Sequence, residues 1–204
     1  MESFFKLRAD KQKHIIDAAL NVFARNGYKK ASIGDIADEA SISKGMVSYY
    51  FGSKKNLYLY LTEFCGNMLV DEMESRFDNK VTDFFEKIML ATDIKLSLMK
   101  KHRSCVHFFA SACNETDAEV QTNIRELLSG ELGLRMQKLA TPTDISKLKS
   151  GIDHSLLELF FIWTAEGLLK EIQNDNNAES IENAKNTFGT CLELFRMYMY
   201  TDIH

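Results

Sequence analysis

Apolar side chains recur at helical spacing along almost the whole chain, which predicts a protein built from α-helices. Near the start, Ile16, Ala19, Leu20 and Phe23 follow one another at i, i+3, i+4 and i+7 and form one apolar stripe. Gly27 suits the left-handed position at which a helix ends. Further helices are predicted over residues 33–40, 44–51, 54–77, 81–100, 102–114, 117–139, 152–174 and 178–201.

The first predicted helices are short, and each is preceded by a residue suited to an N-cap. Ser32 has Asp35 three residues later, a pattern close to a capping box. Ser43 suits the N-cap of the next helix, which Gly52 ends before Ser53 caps another. Short helices joined by turns of three or four residues are typical of a helix-turn-helix domain.

The pattern therefore predicts an all-α protein of two domains. The first is a three-helix helix-turn-helix domain over residues 1–53, and the second is a larger α-helical domain over residues 54–204. One proline and ten glycines in 204 residues agree with long helices.

The charge is distributed unevenly between these two parts. The chain carries a net charge of −4, but residues 1–60 hold ten lysines and arginines against six acidic residues. Residues 61–204 hold the other fifteen basic residues against twenty-three acidic ones. A basic N-terminal part on an acidic body indicates that only the N-terminal part meets a polyanion.

No segment has the pattern of a membrane anchor or a secretory signal. The most apolar stretch, "LLELFFIWTAEGLL", is interrupted by Glu158 and Glu166 and is too short to span a bilayer. The four cysteines are scattered without a C-x-x-C pair, which favours reduced thiols. We expect a cytoplasmic protein.

The stretch "SKGMVSYYF", residues 43–51, combines features that suit a helix entering the major groove of DNA. Ser43 and Lys44 place free N–H groups and a positive charge at the helix start, where a phosphate would lie. Gly45 permits close approach of the backbone to the duplex, at a helix-propensity cost of about 1 kcal/mol. Met46 and Ser48 are expected to face outward, towards the base edges.

The remaining positions of this helix are expected to hold it in place and to reach the DNA backbone. Val47 and Phe51 lie four residues apart and should face inward. Tyr49 and Tyr50 cannot share one face, although both hydroxyls could reach phosphates. Lys54, at the start of the next helix, is predicted to contact a phosphate as well.

Residues 11–60 resemble the DNA-binding domain of the tetracycline-repressor (TetR) family of bacterial regulators. The resemblance rests on three motifs in order: A-x-x-x-F-x-x-x-G-Y, S-I-x-x-I-A and S-x-G-x-V-x-x-Y-F-x-S-K-x-x-L. It implies a homodimer that reads a palindromic operator and whose second domain binds a ligand and dimerises. Carried over position by position, it implies DNA contacts at Ser32, Gly34, Ser43, Lys44, Gly45, Met46, Ser48, Tyr49, Tyr50 and Lys54.

Two positions depart from the family pattern. Ser41 stands where members usually have glycine, so the turn either holds a non-glycine residue in a strained conformation or takes another shape. Ser48 replaces a common tyrosine, which leaves the operator sequence open.

The second domain is predicted to hold both the effector and the partner subunit. A chamber for a small, largely apolar ligand is predicted from Phe85, Met89, Met99, His107, Phe108, Leu128, Phe160 and Trp163. The last two helices are apolar enough to cover both their own body and a twin, which predicts a dimer interface. Its residues would be Leu156, Phe160, Phe161, Trp163, Phe188, Leu192, Phe195 and Met199.

Other functions are less consistent with the sequence. His102, Cys105 and His107 do not form a metal site, because position 107 lies about 140° from position 102 on a helix and a fourth ligand is missing. No nucleophile–base pair or phosphate-binding glycine loop indicates an enzyme, and no cofactor is implied. The alternative is a helix-turn-helix regulator that acts through protein partners without a small-molecule inducer.

Overall fold

The structure, a computed structural model, describes residues 1–78, 80–139, 143–174 and 178–201. Within these residues the chain is α-helical, with isolated β-bridges and no strand. The helices are α1 (Glu2–Phe5), α2 (Ala9–Lys30), α3 (Ile33–Glu39), α4 (Lys44–Phe51), α5 (Lys54–Arg76), α6 (Phe84–Lys101), α7 (Arg103–Cys113), α8 (Gln121–Ser129), α9 (Glu131–Leu139), α10 (His154–Asn174) and α11 (Ala178–Met199). The predicted all-α class is confirmed.

The chain divides into two compact units. The first comprises Met1–Glu72 and His102–Met136, and the second comprises Met73–Lys101 and Gln137–His204. The domain boundary that the sequence suggests after residue 53 stays a prediction. No described helix is long and apolar enough to cross a bilayer.

The core of the first unit joins the short N-terminal helices to α5 and α7. Ile36, Val47 and Leu57 are each fully buried, so α3, α4 and α5 contribute to the same apolar cluster. Aromatic rings extend this cluster, since Phe108 on α7 packs edge-on against Tyr58 on α5 with ring centroids 5.1 Å apart. The helix-turn-helix is therefore held by long helices as well as by its own small core.

One predicted helix is wrong, and one predicted break is present inside a longer element. The segment 117–139 is not one helix, because α8 ends before Gly130 and α9 begins after it. The break predicted at Gly27 is present, because Gly27 has a non-helical backbone with φ of 66°, and a short helical stretch follows it to Lys30. Glycine accepts this positive φ without a steric cost, so the predicted special conformation is present inside the element.

The short helix α1 is absent from the sequence-based prediction. Its Phe4 is fully buried, with ring centroids 4.8 Å from Phe51 and 6.0 Å from Tyr50. The neighbouring Phe5 is 56% exposed. One ring of the pair therefore packs under α4 while the other lies at the surface.

We expect Phe4→Ala to lower the free energy of unfolding by about 3–5 kcal/mol, because a buried ring is lost and a cavity is left. Phe5→Ala is the matched control and should change it by less than about 1 kcal/mol. Denaturant titrations of both variants measure the difference. Equal effects of the two substitutions would contradict the packing of Phe4 beneath α4.

The second unit has its own aromatic core between α6, α10 and α11. Phe85, Phe161 and Phe188 are each 2–3% exposed, and Phe85 and Phe161 pack edge-on at 5.7 Å. At one end of this core the carboxylate of Asp83 accepts hydrogen bonds from the Tyr200 hydroxyl at 2.7 Å and from Lys147 Nζ at 2.8 Å. This network ties the residue before α6 to a loop and to the end of α11.

The hydrogen bonds to Asp83 predict a pH-dependent stability. Burial alone would raise the pKa of Asp83, but the hydrogen bonds from Lys147 and Tyr200 outweigh it and hold the pKa below its ordinary value of 3.8. The network therefore stabilises the fold above about pH 3.8, and this contribution is lost as the pH falls through the lowered pKa.

We expect Tyr200→Phe to lower the free energy of unfolding at pH 7 by about 1.5–3 kcal/mol, the contribution of a hydrogen bond to a charged group. The difference from the unsubstituted protein should shrink below about pH 3.8, where Asp83 becomes protonated. Tyr198→Phe, at a position that is 64% exposed, is the control. A difference that stays constant across this pH range would contradict the role of Asp83.

Candidate nucleic-acid interface

Side-chain caps fix the starts of α3 and α4. Ser32 and Asp35 form a complete capping box: Asp35 N–H donates to Ser32 Oγ at 3.1 Å, and Ser32 N–H donates to Asp35 Oδ2 at 3.2 Å. Ser43 Oγ accepts from Met46 N–H at 3.3 Å. Both predicted N-caps are confirmed. Because these bonds satisfy only some of the free N–H groups at the helix starts, others remain for an anion.

The turn between α3 and α4 contains a strained residue. Ser41 has φ of 51°, the left-handed region that glycine adopts easily and serine does not. The Ile42 N–H donates to Ala37 O at 3.0 Å, which closes the turn. Of the two alternatives that the sequence left open for Ser41, the strained conformation is confirmed.

Helix α4 has one face in the core and one face in solvent. Val47 and Phe51 are 0% and 3% exposed, as predicted. Tyr50 is 5% exposed and packs beside Phe4, whereas Tyr49 is 67% exposed. The solvent face is formed by Lys44, Gly45, Met46, Ser48 and Tyr49.

The two adjacent tyrosines therefore have different surroundings. The sequence predicted that the two rings cannot share one face and that both hydroxyls could reach phosphates, but it did not decide which ring packs inward. The structure makes Tyr49 the accessible one and gives Tyr50 a packing role, so removing the Tyr50 ring would perturb the fold. A contact between the Tyr50 hydroxyl and DNA stays a prediction.

Packing within the protein does not require the glycine at position 45. A Cβ atom added there would meet only Ser43 Oγ, at 3.9 Å, and Gly45 has an ordinary helical φ. The helix-propensity cost of glycine, about 1 kcal/mol, is thus not offset by any contact that the described residues make. The absence of a side chain at Gly45 therefore leaves room for a molecule that approaches α4 from solvent.

We expect Gly45→Ala to change stability and DNA affinity in opposite directions. The fold should become more stable by about 0.5–1 kcal/mol, because alanine is the better helix former. Affinity for DNA should fall by about tenfold or more, equivalent to about 1.4 kcal/mol, because the new methyl group keeps the backbone away from the duplex. Thermal unfolding and fluorescence anisotropy measure the two quantities. A stabilised variant with unchanged affinity would contradict the close approach.

Lys54 makes contacts that the sequence did not predict. Its Nζ donates to Tyr28 O at 2.9 Å and to Ala31 O at 3.2 Å, and it lies 4.3 Å from the centre of the Tyr28 ring. The ammonium group thus satisfies carbonyls at the end of α2, where a positive charge is favourable. An ammonium has three donors, so a phosphate contact by Lys54 stays a prediction.

The residues predicted to line a ligand chamber lie in both units. In the first unit, Phe108 is 1% exposed in the closed aromatic core, and Leu128 is partly buried against it. His107 Nε2 is buried and has no hydrogen-bond partner among the described residues, and burial lowers the pKa of this histidine. In the second unit, Met99 is 2% exposed, and Phe160 and Trp163 are 43% and 63% exposed.

Two of the predicted residues, Phe85 and Met89, line a cleft of about 280 Å³ in the second unit. Its apolar surface also includes Val81, Leu90 and Leu192, and its polar residues are Glu86, Asp93, Glu193 and Arg196. The volume is close to the lower end of the range for small-molecule pockets, about 300–1,000 Å³.

Helices α10 and α11 carry the apolar surface that the sequence assigned to a dimer interface. Three of the predicted interface residues, however, face the core of the second unit. Phe161, Phe188 and Leu192 are each 2% exposed and fill the core of the second unit, so this part of the prediction is wrong. The exposed large side chains are Leu156, Leu159, Phe160, Ile162 and Trp163 on α10, and Leu194, Met197 and Tyr198 on α11. Phe195 and Met199 are partly buried against the core.

The fold and the two-faced α4 define a helix-turn-helix DNA-binding protein. The sequence profile of bacterial regulatory proteins of the tetR family matches residues 15–61. The fatty acid metabolism regulator protein of Bacillus subtilis (strain 168) is 25% identical over 177 residues, which cover 86% of this chain and 91% of that protein.

Solved structures show the same fold along nearly the whole chain. A TetR family transcriptional regulator from Chloroflexus aurantiacus J-10-FL superposes with a TM-score of 0.73 at 20% identity and covers 98% of each chain. The transcriptional regulator FadR from Bacillus subtilis, solved in complex with stearoyl-CoA, superposes with a TM-score of 0.59 at 23% identity. It covers 88% of this chain and 96% of its own. The chain belongs to the tetR family of transcriptional regulators.

Proposed function

We propose that this chain is a homodimeric repressor that binds a palindromic operator through α4 and is released from it by a small, largely apolar ligand. The observation that carries the DNA-binding part is the division of α4 into two faces. Val47 and Phe51 anchor the helix, while Lys44, Met46 and Tyr49 project from its solvent face. Exposed side chains that can bond to phosphates and bases, on a rigidly held helix, are what major-groove recognition requires.

The proposed homodimer rests on the apolar face of α10 and α11. Leu156, Leu159, Phe160 and Trp163 are spaced i, i+3, i+4 and i+7, so they form one continuous exposed stripe. A stripe of this kind is costly in water and is covered when two copies pair about a two-fold axis. The same axis would present two α4 helices to successive major grooves, about 34–36 Å apart.

The proposed ligand rests on the cleft that contains Phe85 and Met89 and on the stearoyl-CoA bound by a relative. Release would follow from a population shift, in which the ligand favours an arrangement of the dimer whose two α4 helices no longer match the operator. The cleft carries charges of both signs, since Glu193 is paired with Arg196 at 3.7 Å.

The test of DNA binding is a titration of labelled duplex at several salt concentrations. The logarithm of affinity should fall linearly with the logarithm of salt concentration, with a slope of about −0.9 for each phosphate contacted. A dimer that uses about four to eight phosphates should give a slope of about −4 to −7. Absence of binding at low ionic strength would contradict the proposed function.

The test of the ligand uses stearoyl-CoA, stearate and free coenzyme A as probes. A ligand of the proposed class should raise the melting temperature of the protein and lower its affinity for the duplex, whereas free coenzyme A serves as the headgroup control. Met89→Trp, which fills the cleft, should abolish both effects. If neither apolar probe has an effect while DNA binding is intact, a regulator acting through protein partners becomes the better description.

A further inference from the structure

The connection between α2 and α3 begins at a break in the backbone that favours glycine. Gly27 has φ of 66° and ψ of 176°, a region of backbone conformation that is almost exclusive to glycine. The chain then makes a short helical stretch to Lys30 and reaches Ser32, the N-cap of α3. The orientation of α3 relative to α2 therefore depends on how residues 28–31 are held.

A carboxylate from the loop after α7 binds the first residue of this segment. Glu115 Oε2 accepts a hydrogen bond from Tyr28 N–H at 3.3 Å, although the two residues are 87 positions apart in the sequence. Glu115 Oε1 accepts from the N–H groups of Thr116 and Asp117, each at 2.9 Å. Hydrogen bonds to an ionised acceptor are stronger than those between neutral groups. The bonds within the loop thus hold the carboxylate where it meets Tyr28.

An ammonium group binds the carbonyl groups of the same segment. Lys54 Nζ donates to Tyr28 O at 2.9 Å and to Ala31 O at 3.2 Å. The Tyr28 ring is 1% exposed, and its centroid lies 4.9 Å from that of Tyr58 and 4.3 Å from Lys54 Nζ. The N–H group, the carbonyl group and the ring of Tyr28 are therefore all held by groups from α5 and from the loop after α7.

This segment is continuous with the two helices of the helix-turn-helix. Ala31 directly precedes Ser32, and Lys54 begins α5 three residues after α4 ends. Ile36 on α3 and Val47 on α4 are both fully buried in one cluster. Because side chains in such a core are closely packed, a displacement of α3 is passed on to α4. The bond between Glu115 and Tyr28 therefore bears on the position of α4.

We propose that Glu115 is a positioning residue for DNA recognition: its carboxylate holds the break at Gly27 in one geometry and thereby sets the orientation of α3 and α4. Glu115 acts through Tyr28 and not through a contact with DNA. The inference rests on the proposed DNA-binding function, and it adds a residue of the loop after α7 to those on which that function depends.

The experiment measures the affinity of Glu115→Ala for two duplexes, one that the protein selects from a random pool and one of scrambled sequence. Affinity for the selected duplex should fall by about tenfold, within the usual range for coupled sites, because α4 is no longer aligned with its groove. Affinity for the scrambled duplex should fall by less than about twofold, because binding without sequence preference depends on charge. Equal losses on both duplexes, or no loss on either, would overturn the proposal.

Glu126→Ala is the matched control for the loss of a negative charge. Glu126 is exposed on α8, so its replacement changes the net charge by the same amount. This variant should bind the selected duplex as tightly as the unsubstituted protein does, or slightly more tightly, at the same salt concentration. A loss as large as that of Glu115→Ala would assign the effect to net charge and overturn the positioning role.

Glu115→Gln provides a second variant in case the alanine variant folds poorly. Glutamine has the same size but only one acceptor oxygen, so it cannot bind Tyr28 N–H and its own loop with separate oxygens. We expect a melting temperature within about 3 °C of the original, faster hydrogen exchange of the Tyr28 amide, and an affinity for the selected duplex lower by about threefold or more. Full affinity or unchanged exchange would overturn the proposal.

The unsubstituted protein separates this inference from the function on which it rests. If it binds neither duplex, the proposed function fails and the inference fails with it. If it binds the selected duplex and Glu115→Ala binds that duplex equally well, DNA binding stands and only the role of Glu115 is overturned.

Discussion

Replacing Lys44 and Tyr49 together by alanine should reduce operator affinity by about 30- to 100-fold, equivalent to about 2–3 kcal/mol. Lys44 is exposed at the start of α4, and Tyr49 is 67% exposed on its solvent face, so neither contributes to the core. Loss of the Lys44 charge should also reduce the slope of the logarithm of affinity against the logarithm of salt concentration by about one for each α4. Anisotropy titrations on a selected duplex measure both effects.

The neighbouring Tyr50 provides the matched comparison. Tyr50→Ala should lower the melting temperature, because its ring packs between α1 and α4, whereas the double variant at Lys44 and Tyr49 should melt as the unsubstituted protein does. Tyr50→Phe isolates the hydroxyl group, and a fall in affinity for that variant would establish the contact that the sequence predicts. If the double variant retained full affinity, α4 could not be the reading helix.

Replacing Trp163 by lysine should dissociate the proposed homodimer. Trp163 is 63% exposed at the C-terminal end of the apolar stripe on α10, and a tryptophan that becomes buried in an interface typically contributes about 2–4 kcal/mol. An unpaired ammonium in the same place adds a desolvation cost. The mass in solution should fall from twice 23.4 kDa to 23.4 kDa, and operator affinity should fall with it because a single α4 holds the DNA.

Leu134→Lys is the control for a general effect of adding a charge to an apolar surface. Leu134 is 57% exposed and lies on α9, so it is not one of the residues that form the stripe on α10. This variant should keep the mass of the dimer in light scattering or sedimentation. A Trp163→Lys protein that also stays dimeric would show that the partner subunit does not bind to the apolar stripe on α10.

Much of the helix-turn-helix could be predicted because its helix starts and turns are determined by residues that are close together in the sequence. An N-cap serine must lie directly before its helix, and the structure has Ser32 and Ser43 in these roles. The strain at Ser41 was one of the two alternatives that the departure from the family pattern left open, and its φ of 51° decides between them. Capping hydrogen bonds and backbone sterics involve residues no more than three or four positions apart, so the residues that determine them can be read from the sequence.

The predictions that failed concern features that depend on contacts between residues far apart in the sequence. Helix α1 has only four residues, too few to show a helical period. Its Phe4 packs against Phe51 and Tyr60, which are remote in the sequence. Helix α10 is apolar on nearly all sides, so periodicity could not tell that Phe161 faces the core and Trp163 faces solvent. The bonds from Lys54 to the end of α2 likewise join elements that are remote in sequence.

The most direct test of DNA reading by a pair of α4 helices is selection of duplexes from a random pool by the purified protein. We expect the bound fraction to converge on an inverted repeat whose half-site centres lie about one helical turn, 10–10.5 base pairs, or a multiple of it apart. The same selection with the Lys44 and Tyr49 double variant should recover no repeat. Convergence on a single unpaired half-site, or no convergence by the unsubstituted protein, would contradict recognition by two α4 helices.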